Sequence, residues 1–527
     1  MATIIPDKRD AFFGITSILP PDHKPLPILG SILLVYLLTC IFHMSKTSEL
    51  PLVNPKKKFE FGNTKRKREF MQNAEQILAK GQKEAPGKPF RTISDSGETL
   101  VLPGKYANEI RNNHNLSFTK LIYEEFHGSL PGFEAFAEAA NDSHILQSVA
   151  RKQLTHSLAK VTEPLSQETT LALREIFTNS PEWHDVNLKE SIVAVVARLS
   201  SRVFLGEQLC CDPRWLRITS QYTVTSVTAA AQLRAFPYYL RPIVHWFLPR
   251  CRTTMAMVAE ARKLIGPVVQ QRRAANQALR ARGEKMPKYD DAIEWFDEAA
   301  KGEKYDPVCI ELAISVAAIH TTSDLTCQVL LDLTRHPELI EPLREEIVSV
   351  LREGDWKKTS LYNMKLLDSF IKESQRMKPI SNLGFRTAGM RRRALGSIKL
   401  SDGFEIPAGS TLAVTNDLMR DSSFHEDPDR FDSYRFLRMR ETPGMESQAH
   451  LVSTSASHMG FGHGEHSCPG RFFAANEVKI LLCHFLLKYE WKLAPGVEAR
   501  ICRDGFSLAS DPFAKISLRR RREEIEL

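Results

Sequence analysis

Residues 461–471 read Phe461-Gly462-His463-Gly464-Glu465-His466-Ser467-Cys468-Pro469-Gly470-Arg471. A strongly apolar helix is predicted to follow, from about Arg471 to Tyr489. A cysteine just ahead of a helix N-terminus lies where backbone N–H groups stabilise a thiolate, and glycines let such a loop approach a neighbouring group closely. Taken alone, Cys468 is more typical of a buried structural thiol. A zinc site shared with His463 and His466 lacks a clear fourth ligand at typical spacing.

Two further segments carry charged residues at suggestive spacings. Glu373-Ser374-Gln375-Arg376 lies in a helix predicted around Lys365 to Lys378, and its i, i+3 spacing puts a carboxylate and a guanidinium on one face. An exposed helix pair is the plain alternative for this segment. The second segment reads Phe431-Asp432-Ser433-Tyr434-Arg435-Phe436.

The clearest helix is predicted to begin at Asp306 and Pro307, a capping residue followed by a proline at the first helical position, and to end near His336. About 30 helical residues, roughly 45 Å, suffice to cross a domain. Residues 317–323 in its middle read Ala-Ala-Ile-His-Thr-Thr-Ser. Hydroxyls inside an apolar helix compete with backbone hydrogen bonds, so they are either satisfied by preceding carbonyls, bending the helix, or have a function.

The remaining body is predicted to be mainly α with a small β region. Most stretches between residues 70 and 380 repeat apolar residues at spacings of three and four, which is typical of helices. Strands are predicted chiefly after residue 380. Residues 398–400 and 411–414 are predicted to pair as a hairpin around an Asp402-Gly403 turn.

The cysteine loop resembles that of a known family. Phe461, Gly464, Cys468 and Gly470 match the FxxGxxxCxG pattern of cytochromes P450, and the resemblance covers about residues 50 to 520. It implies the cytochrome P450 fold, in which haem b (iron protoporphyrin IX) lies between a long central helix and a C-terminal cysteine loop and helix. Cys468 is then the axial metal ligand of the haem iron, and the other three residues are cofactor-binding.

The second and third segments resemble the family's bracing motifs. Glu373 and Arg376 match its ExxR pair, and Arg435 lies in a segment similar to FxPxRF, with Tyr434 in place of the proline. The resemblance implies a buried carboxylate held by two arginines, which would brace the cysteine loop structurally.

On the distal side, residues 317–322 are similar to the family's (A/G)Gx(D/E)TT stretch. The resemblance implies that Thr321 delivers protons during oxygen activation. His320 departs from the family, which usually has an acid there, and is expected to relay protons in altered form. Fungal secondary-metabolism members, which are microsomal class II monooxygenases, share this Ala-Ile-His-Thr-Thr signature and the continuation Cys-Pro-Gly-Arg-Phe-Phe-Ala.

Haem propionates need cationic or donor partners. Arg386 and His466 stand where the resemblance places propionate-binding residues, and Arg151 is a weaker match because the family's tryptophan is missing from its vicinity. Pocket walls are expected, by analogy, between Phe118 and Phe136, between Thr223 and Tyr239, and near residues 313–317.

The resemblance also implies partners and a reaction. NADPH–cytochrome P450 reductase is the expected electron donor, with cytochrome b5 as a possible second one, because no flavin or nicotinamide domain fits beside the haem fold. The expected reaction is hydroxylation or oxidation of a lipophilic molecule, such as a terpenoid of fungal secondary metabolism, with O2. A haem isomerase or dehydratase that does not use O2, and a non-catalytic haem binder, are the alternatives. The retained Thr321 argues against both.

The first seventy residues predict a membrane protein. Residues 26–44 are apolar and uncharged, enough for roughly 28 Å of helix, and can span a bilayer. The predicted organisation is a lumenal N-terminus (1–25), a transmembrane anchor (26–44), a basic, proline-containing linker (45–70) and a haem-thiolate monooxygenase domain (71–527). Positive charges after the anchor place the domain in the cytosol at the endoplasmic reticulum membrane.

Composition agrees with this organisation. Of the 527 residues, 43% are apolar and 25% charged, which is typical of a globular chain with a large core. Much of the net charge of +8 comes from the cluster after the anchor, so no nucleic-acid partner is predicted. The nine cysteines show no CxxC pair, which favours a reduced compartment.

Overall fold

The computed structural model of the protein describes residues 50–60, 62–285, 287–379 and 388–527. The predicted N-terminal segment 1–25, the predicted anchor 26–44 and Arg386 lie outside these described residues. The described body is mostly helical, as predicted. Its α-helices are α1 (Thr64–Glu84), α2 (Ala107–Ile110), α3 (Phe118–Glu125), α4 (Glu134–Ala139), α5 (Ile145–Arg151), α6 (Gln153–His156), α7 (Leu158–Ile176), α8 (Leu188–Phe204), α9 (Pro213–Leu233), α10 (Arg241–Val244), α11 (Pro249–Ala281), α12 (Ala292–Ala300), α13 (Pro307–Arg335), α14 (Ile340–Gly354), α15 (Lys358–Asn363), α16 (Lys365–Met377), α17 (Arg435–Glu441), α18 (Glu446–Ala449) and α19 (Arg471–Lys488).

Strands form small sheets beside the helices. They are β1 (Phe90–Ser94), β2 (Gly97–Leu102), β3 (Leu116–Ser117), β4 (His184–Asn187), β5 (Ala388–Ala394), β6 (Ile398–Lys399), β7 (Glu405–Ile406), β8 (Thr411–Thr415), β9 (Tyr489–Leu493), β10 (Cys502–Asp504), β11 (Ser507–Ala509) and β12 (Lys515–Arg520). The largest sheet has the order β1-β2-β8-β5-β3, with β2 and β8 parallel and Val101 opposite Ala413. A three-stranded sheet has the order β4-β12-β9, and β10-β11 and β6-β7 form two separate pairs.

The long helix α13 runs through the core. The Asp306 carboxylate caps it by accepting the N–H groups of Val308 and Cys309 at 3.0 and 3.1 Å, and Pro307 occupies its first turn, so the predicted bounds are confirmed. The helix packs against α4, α8, α9 and α16. Among the described residues it is the one helix long and apolar enough to cross a membrane, but 83% of that apolar stretch is buried inside the domain. A helix that is apolar on all sides and buried in this way is a core helix.

The predicted pairing of residues 398–400 with residues 411–414 was wrong. β6 pairs with β7 around the Asp402-Gly403 turn, with Ile398 opposite Ile406. Strand β8 instead inserts between β2 and β5 in the large sheet. Strands β1 to β4 also precede residue 380, so strand content is spread more widely along the chain than predicted. β1 and β2 form a local antiparallel hairpin, with Ser94 opposite Gly97, that the prediction missed. β3 and β4 pair with β5 and β12, whose residues lie hundreds of positions later, so no local signal marked them.

The domain begins earlier than the predicted boundary at residue 71. Residues 51–527 form one compact unit. Val53 is buried and its N–H donates to the Arg91 carbonyl at 3.0 Å, while Arg66 is buried within α1 beside Glu60. The later part of the predicted linker is therefore packed structure, because its apolar and paired side chains gain more by burial than by solvation.

Candidate active site

The cysteine loop depends on two glycines with left-handed backbone. Gly462 and Gly464 have φ angles of 72° and 77°, a region that other residues rarely adopt. At Gly464 an added Cβ would also lie 2.5 Å from the backbone oxygen of Arg111. The turn closes where the Cys468 N–H donates to the Phe461 carbonyl at 2.8 Å. The loop therefore presents Cys468 just ahead of α19.

The thiol of Cys468 lines the main cavity of the domain. Burial raises the pKa of this thiol, and the Gly470 backbone and the Arg471 guanidinium oppose the rise only in part. The thiolate form therefore requires a compensating positive charge. A metal ion supplies that charge, since a coordinating thiol is deprotonated by its metal. The chemistry of this donor fits a haem iron.

Glu373, Arg376 and Arg435 meet in one buried network. The Nε and Nη2 atoms of Arg376 each lie 2.8 Å from a carboxylate oxygen of Glu373. Arg435 Nε approaches the same carboxylate at 3.2 and 3.3 Å, and the Asp432 N–H donates to it at 3.0 Å. Arg376 also donates to the Met419 carbonyl at 2.9 Å. These contacts join α16 to the chain that leads into the cysteine loop.

On α13, Thr321 and Thr322 both line the cavity. The Thr321 hydroxyl donates to the Ala317 carbonyl at 2.7 Å, one turn back along the helix. Its oxygen still has lone pairs that can accept a hydrogen bond from a group in the cavity. The Ser323 hydroxyl makes the same kind of bond to Ile319 at 2.7 Å but is fully buried. The hydroxyls of Thr321 and Ser323 therefore both bond to carbonyls of their own helix. Of these hydroxyl-bearing residues, only the two threonines line the cavity, where a ligand can reach them.

His320 lies on another face of α13 and is not among the residues that line the cavity. Its Nε2–H donates to the Ser220 carbonyl of α9 at 3.0 Å. Burial, aided by Lys189, lowers the pKa of His320 to about 4, so the imidazole is neutral near pH 7. This placement does not favour the predicted relay role. His320 and Thr321 face different neighbours because adjacent side chains on an α-helix point about 100° apart.

Cationic side chains collect at one edge of the cavity. The predicted residues Arg151 and His466 line the cavity, and so does Arg392 of β5. Arg392 is buried, and one of its terminal nitrogens has no hydrogen-bond partner. His466 donates its Nε2–H to the Leu116 carbonyl at 3.0 Å, and burial and Arg392 lower its pKa. Arg392 therefore offers the free donors that a buried carboxylate, such as a haem propionate, requires.

Sequence reasoning missed Arg392. Its only signal was the run of three arginines from Arg391 to Arg393 inside a predicted sheet region, where a cation is unexpected. Among the described residues, His463 and Cys468 do not belong to any group of three metal-ligating side chains. The His463 Nε2–H donates to the Asn108 amide oxygen at 2.9 Å.

The cavity has a volume of about 610 Å³. A haem held by Cys468 would fill part of this volume, and the remainder would be the space for a substrate. Two of the three predicted walls line it: the 118–136 region, through Phe118 and Phe136, and the central helix, through Ala313 and Ala317. The Thr223–Tyr239 region does not contribute to the lining, so that expectation was wrong. The walls around the thiol and the two threonines are mainly apolar.

A second residue that the sequence did not reveal is Glu477 on α19. It is fully buried, accepts a hydrogen bond from the Ser200 hydroxyl at 2.8 Å, and leaves one oxygen without a partner. Burial raises the pKa of Glu477 to about 8, against smaller opposing effects of the Ser200 and Thr322 hydroxyls. Glu477 is therefore a neutral acid at pH 7, placed between α19 and the hydroxyl-bearing part of α13.

The raised pKa predicts a pH-dependent stability. Between the ordinary value of 4.5 and about 8, the folded protein keeps a proton on Glu477 that the unfolded chain releases, so stability falls as pH rises. Glu477→Gln should remove this loss of stability. The free energy of unfolding of the variant should therefore exceed that of the wild type by an amount that grows with pH, to a few kcal/mol by pH 8.5. Thermal unfolding from pH 5.5 to 8.5 measures it, with the exposed Glu498→Gln as control. A pH-independent difference would contradict the assignment.

Comparisons with known proteins identify the family. The family model "Cytochrome P450" matches residues 91–514. Cytochrome P450 monooxygenase hepE of Aspergillus oryzae is 49% identical over 495 residues, which cover 93% of this chain and 89% of that protein. Cytochrome P450 monooxygenase 1 of Gibberella fujikuroi is 49% identical over 445 residues, covering 84% of this chain and 100% of that protein. The solved haem domain of cytochrome P450DA has a TM-score of 0.66 over 90% of this chain and 98% of its own, and at 16% identity it supports the fold alone. The chain belongs to the cytochrome P450 family, and it is a haem-thiolate monooxygenase.

Proposed function

We propose that this monooxygenase hydroxylates or oxidises a lipophilic small molecule of fungal secondary metabolism, such as a terpenoid. The observation that carries the proposal is that Cys468, Thr321 and a mainly apolar wall meet in one cavity of about 610 Å³. An apolar pocket with a few polar groups suits a lipophilic substrate that is oriented by its shape. Relatives from Aspergillus, Gibberella and Penicillium that are named cytochrome P450 monooxygenases support the fungal setting and the class of reaction.

Each polar residue of the cavity has a proposed task. Cys468 would ligate the haem iron, and the bound haem would supply the chemistry of O2 activation. Arg392 would hold a haem carboxylate through its unpaired nitrogen, and Arg151 and His466 line the same cavity. Arg386 keeps its predicted propionate role, which rests on the resemblance alone. Phe118 and the other apolar walls hold the substrate and exclude water.

Thr321 is the proposed proton carrier of the cavity. Its hydroxyl now donates to the Ala317 carbonyl. To pass a proton inward it would turn from that carbonyl, donate its own proton to the ligand and take a replacement proton from a water molecule. Thr321→Val should retain haem but lose most coupling of NADPH use to product, by roughly 10-fold or more. His320→Leu is the matched variant and should stay coupled, because its ring contacts α9. Measuring NADPH consumption, peroxide and product in parallel tests both variants. Full coupling in Thr321→Val would show that Thr321 does not relay protons.

Cytochrome P450 monooxygenases need a protein that donates electrons. NADPH–cytochrome P450 reductase is the proposed donor here, and cytochrome b5 is a proposed second one. The test combines purified protein, reductase, NADPH and a panel of terpenoids and polyketides, and expects one oxygen atom of 18O2 in the product. Product formed without air and NADPH would support an isomerase or dehydratase instead. Absence of any product across the panel would favour a haem binder.

Attachment to the endoplasmic reticulum membrane, with the domain in the cytosol, is also proposed. The apolar span 26–44 and the basic residues that follow it support this topology. Exposed Tyr238, Ile243, Trp246 and Phe247 offer a second apolar contact of the kind found at membrane interfaces.

Leu34→Arg with Leu37→Arg should release the protein from membranes, since each central arginine costs roughly 2.5–3.5 kcal/mol. The test is carbonate extraction of the membrane fraction, with alanine at the same two positions as the control. Retention of the arginine variant in the carbonate-washed pellet would contradict the anchor.

A further inference from the structure

The loop between α8 and α9 brings two adjacent cysteines next to a carboxylate. Cys210 Sγ and Cys211 Sγ lie 3.5 Å apart, and Cys211 Sγ lies 3.7 Å from Glu168 Oε1 of α7. All three donor atoms fall within 4.8 Å of one another. None of these residues lines the haem cavity, so the cluster is separate from the active site.

These separations fit the edges of a tetrahedron around one ion. With Zn–S bonds of about 2.3 Å and a Zn–O bond of about 2.0 Å, tetrahedral angles put two sulfurs roughly 3.8 Å apart and a sulfur and an oxygen roughly 3.5 Å apart. The observed 3.5 and 3.7 Å differ from these lengths by a few tenths of an ångström. The third edge, from Cys210 Sγ to the Glu168 carboxylate, is within 4.8 Å and would have to close to roughly 3.5 Å by rotation of the side chains.

A disulfide between the two cysteines fits less well. Adjacent Cα atoms are about 3.8 Å apart across a trans peptide bond, whereas disulfides usually join Cα atoms that are roughly 4.4–6.8 Å apart. Both cysteines are free. An ion, in contrast, can bridge the two sulfurs at the separation they already have.

Charge and access also suit a cation. Two thiolates and a carboxylate carry three negative charges, of which a divalent ion would neutralise two. Arg198, which is paired with Glu168 and also with the exposed Glu175, offsets part of the remainder. The carboxylate has four lone-pair sites, so it can keep Arg198 while binding an ion. Cys210 and Glu168 are buried, whereas Cys211 is exposed, which leaves an entry path and room for water as a fourth ligand.

We propose that Glu168, Cys210 and Cys211 form a binding site for a soft or borderline divalent cation, with Zn²⁺ as the ion whose ligand preferences fit best. Binding replaces the two thiol protons, which pass to solvent. The ion would tie α7 to the loop between α8 and α9, outside the lining of the haem cavity, so it would act as a structural clamp.

The test uses the haem-loaded full chain, reduced and freed of chelators, titrated with Co²⁺ as a spectroscopic probe and with Zn²⁺ in competition. We expect about one equivalent of Co²⁺ with a thiolate-to-cobalt charge-transfer band, displaced by Zn²⁺. The double variant Cys210→Ser with Cys211→Ser should lose the band, and Glu168→Gln should bind roughly tenfold more weakly or worse. Cys502→Ser, an exposed cysteine elsewhere, is the matched control and should bind as the wild type does.

Three results would overturn the proposal: no saturable uptake, a band that persists in the double variant, or a Cys210–Cys211 disulfide whose reduction restores no uptake. Should the double variant fail to accumulate with haem, thiol labelling of the wild type decides. Zn²⁺ should slow alkylation of Cys211 at least tenfold while leaving Cys502 unaffected. Equal alkylation rates with and without Zn²⁺ would also overturn it.

Discussion

Cys468→Ser should abolish the red-shifted Soret band of the reduced, CO-bound protein. The serine hydroxyl has nearly the same size but is not a thiolate donor, so the iron would lose the axial ligand that gives this spectrum. The backbone of the loop should persist, because its glycine turns and the Cys468 N–H bond to the Phe461 carbonyl do not involve the sulfur. Monooxygenase activity should be lost with the band.

The control for this experiment is Cys502→Ser, which changes an exposed thiol far along the chain from the loop. It should keep both the spectrum and the haem content. Circular dichroism separates loss of the ligand from loss of the fold in the Cys468 variant. An unchanged red-shifted band in Cys468→Ser would refute thiolate ligation by this residue.

Arg376→Ala should prevent the protein from accumulating in the folded, haem-loaded form. The substitution removes the two-pronged partner of Glu373 and leaves a fully buried carboxylate with the longer contacts of Arg435 and the Asp432 N–H. Breaking a buried ion pair in this way typically costs about 3–5 kcal/mol, a large share of a domain's stability. Glu373→Gln should be similarly damaging, since it leaves two guanidinium groups buried without an anion.

The effect should depend on burial, and the chain offers a comparison. Arg500 pairs with Glu498 at 3.0 Å, but both side chains are about 80% exposed, so Arg500→Ala should change stability by less than about 1 kcal/mol. Haem content per polypeptide and thermal unfolding of the purified variants provide the readout. A folded, haem-loaded Arg376→Ala protein that merely turns over slowly would mean that the pair has a chemical role instead of a structural one.

Local chemistry explains why some elements could be predicted from sequence. The bounds of α13 follow from an aspartate cap and a proline in the first turn, and α19 follows from an apolar run after Gly470. The positions of Cys468, Gly464 and Glu373 follow from short motifs, in which spacing along the chain already restricts the geometry. Because each of these patterns lies within one loop or one helix, it can be recognised without knowing the fold.

The errors concern contacts between distant segments. Strand β8 pairs with β2, whose residues lie more than 300 positions earlier, and the nearer β6 takes β7 as its partner. His320 has the same neighbours in sequence as Thr321, yet α9 covers it and removes it from the cavity. The hydrophobic period of a segment and the secondary-structure propensities of its residues do not specify which element will cover a given helix face. Tertiary packing determines that contact.

By itself, the amino-acid sequence determined the helical class and the central helix, which are encoded by local spacing. The residues of the cysteine loop and its bracing network were identified by the resemblance of their motifs to a family. Tertiary structure decided which of these side chains share a cavity, that Arg392 lies there with a free donor, and that Glu477 is a buried neutral acid. It also brought Glu168 next to Cys210 and Cys211. Burial and pKa depend on the atoms that surround a group, and those atoms come from chain segments that only the fold brings together.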